Sequence, residues 1–487
     1  MKIFSSSHVQ AALFRLSHTL SSALFRPDAL SSALFRPQVL SSALFRPDAL
    51  SSALFRPHAL SSFLLLFLLI LPSSCQNGKI ERPHPDWSAN AVIYEVNVRQ
   101  YTPEGTFQAF SNHLPRLKDL GVDILWLMPI HPIGELERKG SLGSYYAVRD
   151  YTAVNPEFGS MDDFKALVKK AHAHGFKVII DWVANHTSPD AVWTEHKDWY
   201  QTDSSGNFVI QYDWTDIAQL DFDNHDMRRA MTNAMLFWVR ETDIDGFRCD
   251  VAWNIPADFW ESTVTELKAI KRDLFMLAEA EEPPLQLKAF NSYYAWHLHH
   301  VMNLVAQGKS DVNEFRKVLN AMLQRFPTHA IPMYFTSNHD ENSWAGTEFE
   351  RMGPAARAFA ALCYLLPGMP LIYNGQEAGF DRRLQFFEKD LIDWDDTLDF
   401  TSFYRNLNHL RKSNRALFSQ EKGGALVELD NSVPEAIFSF ERAVKGNKVI
   451  AVFNLSNQVQ HVTIESTDQE VGSIVMMDPW AYKVKVL

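Results

Sequence analysis

A cation and an acid stand two residues apart in Asp243-Ile244-Asp245-Gly246-Phe247-Arg248-Cys249-Asp250, where the chain turns from polar to apolar. Side chains alternate along a strand, so Arg248 and Asp250 are expected on one side and Phe247 and Cys249 on the other. A guanidinium beside a carboxylate favours the ionised acid, so the pKa of Asp250 is expected to be pushed down. An ionised, held carboxylate can act as a nucleophile or an electrostatic stabiliser. The same pair also suits a structural ion bridge at a strand end, and this stretch alone does not separate the two.

Three further stretches have the same form, an apolar run that delivers polar groups. Lys177 to Trp182 is followed by Ala184-Asn185-His186-Thr187, Phe275 to Ala278 by Glu279, and Met333 to Ser337 by Asn338-His339-Asp340. Two carboxyls set about one bond, one ionised and one protonated, are the equipment of a glycosidase. Asp250 is then the candidate nucleophile. Glu279, at the end of an apolar strand, is the candidate acid, with desolvation expected to keep its proton on. Asp340 and His339 are candidates for holding the sugar. Singly, each has a structural reading: Glu279 is close to Glu281 and Glu282 and so could be solvated, and His186 could cap a helix. Jointly, the four clusters argue for a site.

The elements that position these residues read as short buried strands alternating with helices. Strand signals stand at 91–98, 123–128, 177–182, 246–251, 274–278, 333–337 and 371–374, and helix periodicity at 107–120 and 161–174. Over about 300 residues this rhythm predicts an α/β fold, a (β/α)8 TIM barrel, with all strand ends opening on one catalytic face. A doubly wound sheet is the alternative, but its Gly-rich phosphate loop is missing. A polar, Trp- and Tyr-rich segment, 188–224, interrupts the rhythm after the third strand and reads as a short inserted subdomain. From 416 to 487, strand-like runs bounded by Gly, Asn and Ser predict a C-terminal antiparallel β-sandwich. The catalytic barrel is thus expected over 76–415.

The N-terminus is different material. Ser-Ser-Ala-Leu-Phe-Arg-Pro recurs from Ser21, Ser31, Ser41 and Ser51, so residues 1–62 read as low-complexity decapeptide repeats without a folded domain. Residues 63–75 combine the apolar run Phe63 to Leu71 with Pro72-Ser73-Ser74-Cys75. That run has the length of a signal-peptide core rather than of a membrane span. Cys75 resembles a lipoprotein cleavage position, although Pro72 departs from the aliphatic residue usual there. An exported chain is expected, periplasmic or cell-surface through a lipid on Cys75, or else secreted. With three cysteines there is no disulfide framework or zinc spacing, and a net charge of -12 argues against nucleic acid as a partner.

From about Ile93 to the C-terminus the chain closely resembles the α-amylase superfamily, glycoside hydrolase family 13. Asp181-Trp182-Val183-Ala184-Asn185-His186 is similar to its first signature region, Gly246 to Asp250 to the second, Leu277-Ala278-Glu279 to the third, and Phe335 to Asp340 to the fourth. Tyr146 matches the tyrosine that stacks under the sugar, and the segment from Gly368 to Glu377 resembles the last barrel strand. The resemblance implies a retaining double displacement on α-glucosidic bonds of starch, glycogen or maltooligosaccharides. Asp250 would be the nucleophile, Glu279 the acid and Asp340 the transition-state stabiliser, with His186, Arg248 and His339 holding the sugar or orienting Asp250. Transglycosylases, sucrose- or trehalose-type isomerases and non-catalytic glycan binders are alternatives within the superfamily; the binders should lack one of the acids. Where many members carry Lys-His after the nucleophile, this chain has Trp253-Asn254, expected on the leaving-sugar side. The chemistry requires no cofactor. A structural calcium is the one metal the resemblance raises, with Asn185 at a ligand position.

Overall fold

Eight short parallel strands close on themselves in the computed structural model, which describes residues 84–464 and 475–487. In chain order they are β1 (Ile93–Val96), β2 (Ile124–Leu127), β3 (Lys177–Trp182), β6 (Gly246–Cys249), β7 (Phe275–Ala278), β8 (Ser292–Tyr294), β9 (Ile331–Tyr334) and β10 (Met369–Tyr373). A two-stranded ribbon, β4 (His186–Thr187) and β5 (Ala218–Gln219), lies between β3 and β6. Around the barrel the order is β1-β10-β9-β8-β7-β6-β3-β2. The expected (β/α)8 architecture is therefore present.

Strand parity sorts the side chains. Ile93, Ile124, Ile179, Phe275, Leu277, Ile331, Met333 and Leu371 fill the barrel interior as one buried cluster. Their neighbours Tyr94, Leu125, Ile180, Phe247, Met276 and Ile372 belong to the larger core that faces the helices. Continuing the inward parity upward reaches Glu95, Asp181, Arg248, Asp250 and Glu279. The barrel thus has an apolar floor and a polar top layer. Gly246 starts β6 because nothing larger fits: a Cβ there would lie 1.8 Å from the Phe275 carbonyl oxygen.

The helices start and stop where their sequences direct. Ser160 and Asp163 form a capping box on Met161–Ala173, and the Asn224 side chain caps His225–Thr242. The single helix expected over 107–120 is instead two, Phe107–Ser111 and Leu114–Leu120, with Pro115 in the first turn of the second. That is where proline is tolerated, because the missing N–H has no intrahelical partner. Between β7 and β8 there is only the 3-10 turn Pro283–Gln286.

Beyond helix Phe400–Ser413, the strands β11 (Leu426–Glu428), β12 (Ile437–Val444), β13 (Asn447–Asn454) and β16 (Tyr482–Val486) form an antiparallel sheet. A ribbon of β14 (Gln460–Val462) and β15 (Val475–Met477) covers one face of it. Ile437, Val452, Val462, Ile464 and Met477 pack between sheet and ribbon, while Phe438, Phe440, Ala451 and Phe453 join the barrel-side core. Arg442 of β12 is fully buried and donates to the carbonyls of Leu365, Leu366, Leu417, Phe418 and Gly424. These bonds tie the sheet to the barrel, and among the described residues no acid forms an ion pair with Arg442.

The first described residues run along the floor of the barrel, at the N-terminal ends of the strands. The Trp87 ring contacts Phe275, the first residue of β7, and lies under the Lys177 ammonium at the start of β3. His84 pairs with Asn291, just before β8, and its ring meets that of His329, just before β9. The decapeptide repeats, the signal-like segment and Cys75 lie outside the described residues. Cys249 and Cys363 are buried free thiols.

Candidate active site

At the top of the barrel the fully buried Arg248 collects three acids. Its Nη1 donates to Asp181 Oδ1 at 2.9 Å and to Asp250 Oδ1 at 3.0 Å, and its Nη2 lies 3.0 Å from Glu279 Oε2. Its Nε donates to the Tyr294 hydroxyl, and its guanidinium lies over the rings of Trp126, Tyr146 and Tyr294. Arg248 and Asp250 thus share one side of β6, as strand alternation required.

The turn after the strand places the next group. Val251 takes a left-handed conformation, φ 45°, which is costly for a β-branched residue. Its N–H donates to Glu279 Oε2 at 2.9 Å. Strained backbone of this kind collects at functional sites. Glu279, at the end of an apolar strand, therefore sits between a backbone N–H and a guanidinium.

The expectation for Asp250 needs correcting. Burial, and next the neighbouring Glu279 carboxylate, push Asp250 well above the usual carboxylate range, against the pull of Arg248. Burial likewise raises Asp181 and Asp340. One guanidinium divided among three acids does not offset the cost of burying Asp181 and Asp250.

On the opposite side His339 completes the layer. Its Nε2 is 2.8 Å from the Tyr146 hydroxyl and 3.3 Å from Asp340 Oδ2, and its Nδ1 is 2.5 Å from Glu95 Oε1. Burial lowers its pKa, but Asp340 and Glu95 outweigh burial and raise it to about 9. The Tyr146 ring stacks on His339 at 5.4 Å and 18°, and its hydroxyl donates to Asp181 Oδ2 at 3.0 Å. His186 is buried beside Asn185, and burial lowers it to about 4, a neutral imidazole.

Asn254 and Trp253 take different positions. Asn254 donates to Asn185 Oδ1 at 2.8 Å and reaches Gln211 in the segment after β3. Trp253 is 49% exposed at the rim, three residues past Asp250. Asn185 Oδ1 also accepts from Gln219, and Asn185 Nδ2 is turned to Gln219 and His186. The calcium suggested at Asn185 does not fit this donor set, whose carbonyl oxygens are already taken by neighbouring amides. Among the described residues, no group of three or more His, Cys, Asp or Glu is set to hold a metal.

The strand ends therefore bring together Asp250, Glu279, Asp340, Arg248, His339 and Tyr146, while His186 and Asn254 are joined to each other through Asn185 and Trp253 is half-exposed. Sequence reasoning missed Glu95 and gave Asp181 no role of its own. The available signal was parity, since each is a lone acid inside an apolar strand run, Ile93–Val96 and Lys177–Trp182.

The chain is similar to several known proteins. Alpha-amylase MalA of Haloarcula japonica is 28% identical over 404 residues, covering 77% of this chain and 57% of that protein. Alpha-amylase 3 of Dictyoglomus thermophilum is 29% identical, covering 61% of this chain and 65% of its own length. The chain thus spans less than two thirds of either curated relative. Among solved structures, an alpha-amylase from Lactobacillus plantarum superposes with a TM-score of 0.72 at 31% identity, covering 82% of this chain and 99% of that one. Residues 69–198 and 194–416 match the alpha-amylase catalytic domain, and the chain belongs to that family.

Proposed function

We propose that the protein is a retaining glycoside hydrolase acting on α-glucosidic bonds, mainly α-1,4, of starch, glycogen or maltooligosaccharides. The observation that carries this reading is a single guanidinium touching both Asp250 and Glu279 at the mouth of the barrel. Two carboxyls held by one such group are close-set, which suits covalent attack rather than the wider spacing that admits a water between them.

In this reading the sugar stacks on Tyr146, with His186, His339, Arg248 and Asp340 around it. Asp250 attacks the anomeric carbon while Glu279 gives its proton to the departing glycosidic oxygen. Water then cleaves the ester, returning its proton to Glu279. At rest, burial and the neighbouring Glu279 hold Asp250 above the usual carboxylate range. Positive charge developing at the anomeric carbon favours the charged form of Asp250. Asp340 stabilises the cation-like transition state.

A second reading, transfer to a sugar in place of water, draws support from Trp253. It is a half-exposed aromatic surface three residues past Asp250, at the position the family resemblance assigns to the leaving-sugar side. Incubation with soluble starch and maltoheptaose, with products resolved by size and anomer, tests both readings. Hydrolysis releasing the α-anomer first is expected. A β-anomer would sink the retaining mechanism, products longer than the substrate would favour transfer, and inertness on every α-glucan would overturn both.

We also propose export. The apolar run from Phe63 to Leu71, followed by Cys75, supports a cleaved leader with a lipid on that cysteine, with plain secretion as the alternative.

A further inference from the structure

Glu95 takes no part in the scheme above, yet it is fully buried on β1 within hydrogen-bond distance of the site. Oε2 has no hydrogen-bond partner, so the contact of Oε1 with His339 Nδ1 is the carboxyl group's hydrogen bond. Burial raises Glu95, while His339 beside it pulls it down; paired as carboxylate and imidazolium, Glu95 accepts and Nδ1 carries a hydrogen. At the other ring nitrogen the Tyr146 hydroxyl spends its own hydrogen on Asp181 Oδ2, which leaves its oxygen to accept from His339 Nε2. Asp181 then accepts from Arg248 Nη1, and the same Nη1 donates to Asp250. With the acids as carboxylates, every bond from Glu95 to the nucleophile has a defined direction.

We propose that Glu95 is a positioning residue for the reaction: it holds His339 as a two-sided donor and so fixes the direction of the hydrogen bonds that reach Asp250. The inference rests on the glycosidase reading for its kinetic consequence, not for the Glu95–His339 pairing itself. The His339 ring faces Glu95 from β1, Tyr146 from the loop after β2, Asp181 from β3, Arg248 from β6 and Asp340 from its own loop. Glu95 also acts on Tyr294 of β8 and Tyr373 of β10. Among these, the acids nearest the ring are Glu95 and Asp340, and they set its charge against burial. Asp340 belongs to the catalytic set and Glu95 does not, which makes Glu95 the separable one. Without it, His339 loses its proton at lower pH, and its Nε2 can become an acceptor facing the Tyr146 oxygen.

Glu95→Gln tests this in the full-length protein, because it keeps the shape and removes the charge. The His339 Cε1–H resonance, identified by its loss in His339→Gln, is followed by NMR against pH, and kcat and KM on maltoheptaose are measured over the same range. In wild type His339 should titrate near 9. In Glu95→Gln the titration should fall by about 1–3 pH units. The basic limb of kcat should fall with it, while acid-side kcat stays within severalfold of wild type. A residue that merely packs would change thermal stability and leave both profiles in place, which would overturn the proposal. A moved titration with an unmoved rate profile would overturn it too. If Glu95→Gln does not fold, wild type still decides: His339 titrating below 6.5 would refute the pairing. A wild-type protein inert on all α-glucans would sink the glycosidase reading, while the titration would still judge Glu95.

Discussion

Five carboxyl groups, buried Glu95, Asp181 and Asp250 and the more exposed Glu279 and Asp340, face one guanidinium and one imidazole. That imbalance governs the behaviour of single residues. Arg248 and Asp250 were legible as a pair from their spacing, but the direction of the Asp250 shift was not. Arg248 also serves Asp181 and Glu279, and those partners come from other strands. Asp250→Asn and Glu279→Gln should each lose about a thousandfold or more in kcat, as removal of a reacting group does. Asp250→Asn should also fold more stably than wild type at neutral pH. The raised pKa means that ionising Asp250 destabilises the folded state, a cost that grows as pH climbs above the ordinary 3.8 and disappears below it. Thermal unfolding of the two proteins at pH 7 and at about pH 3.5 checks this. A variant no more stable at pH 7 would refute the charge accounting.

At the scale of elements, the strands that carry chemistry were readable and those that only close the structure were less so. β8 is three residues, Ser292–Tyr294, reached from β7 through a 3-10 turn with no α-helix to mark the rhythm. Nothing in so short a run separates a strand from a loop; its place is set by pairing with β7 and β9. β16 also escaped, because Lys483 and Lys485 thin the apolar content of what is a half-buried edge strand. Gly246, by contrast, can be tested where it stands. Gly246→Ala forces a Cβ against the Phe275 carbonyl and must part β6 from β7. Destabilisation of about 3 kcal/mol is expected, with a drop in kcat because Arg248 and Asp250 ride on the same strand. Denaturant unfolding with parallel rate measurement decides it, and a neutral result would show that the barrel yields there.

For the molecule as a whole, the buried arginines at the junction of barrel and C-terminal sheet carry no sequence signature. Arg442 and Arg411 satisfy backbone carbonyls rather than acids, and burial lowers them to about 9 and about 10. The N-terminal reading is testable on the natural protein. Mass spectrometry should find mature chains beginning at a lipid-modified Cys75. An unmodified N-terminus nearby would indicate secretion, and decapeptide repeats in the mature chain would sink the cleaved-leader reading.

The path of His84 to Ala89 beneath the barrel also bears on access to the site. The described chain joins the barrel at the face opposite Asp250, through Trp87 against Phe275 and His84 against Asn291, so residues 84–89 leave the mouth of the cleft uncovered. The entry to the site and the entry of the chain thus lie at opposite ends of the barrel, and a ligand long enough to project from the cleft meets none of residues 84–89.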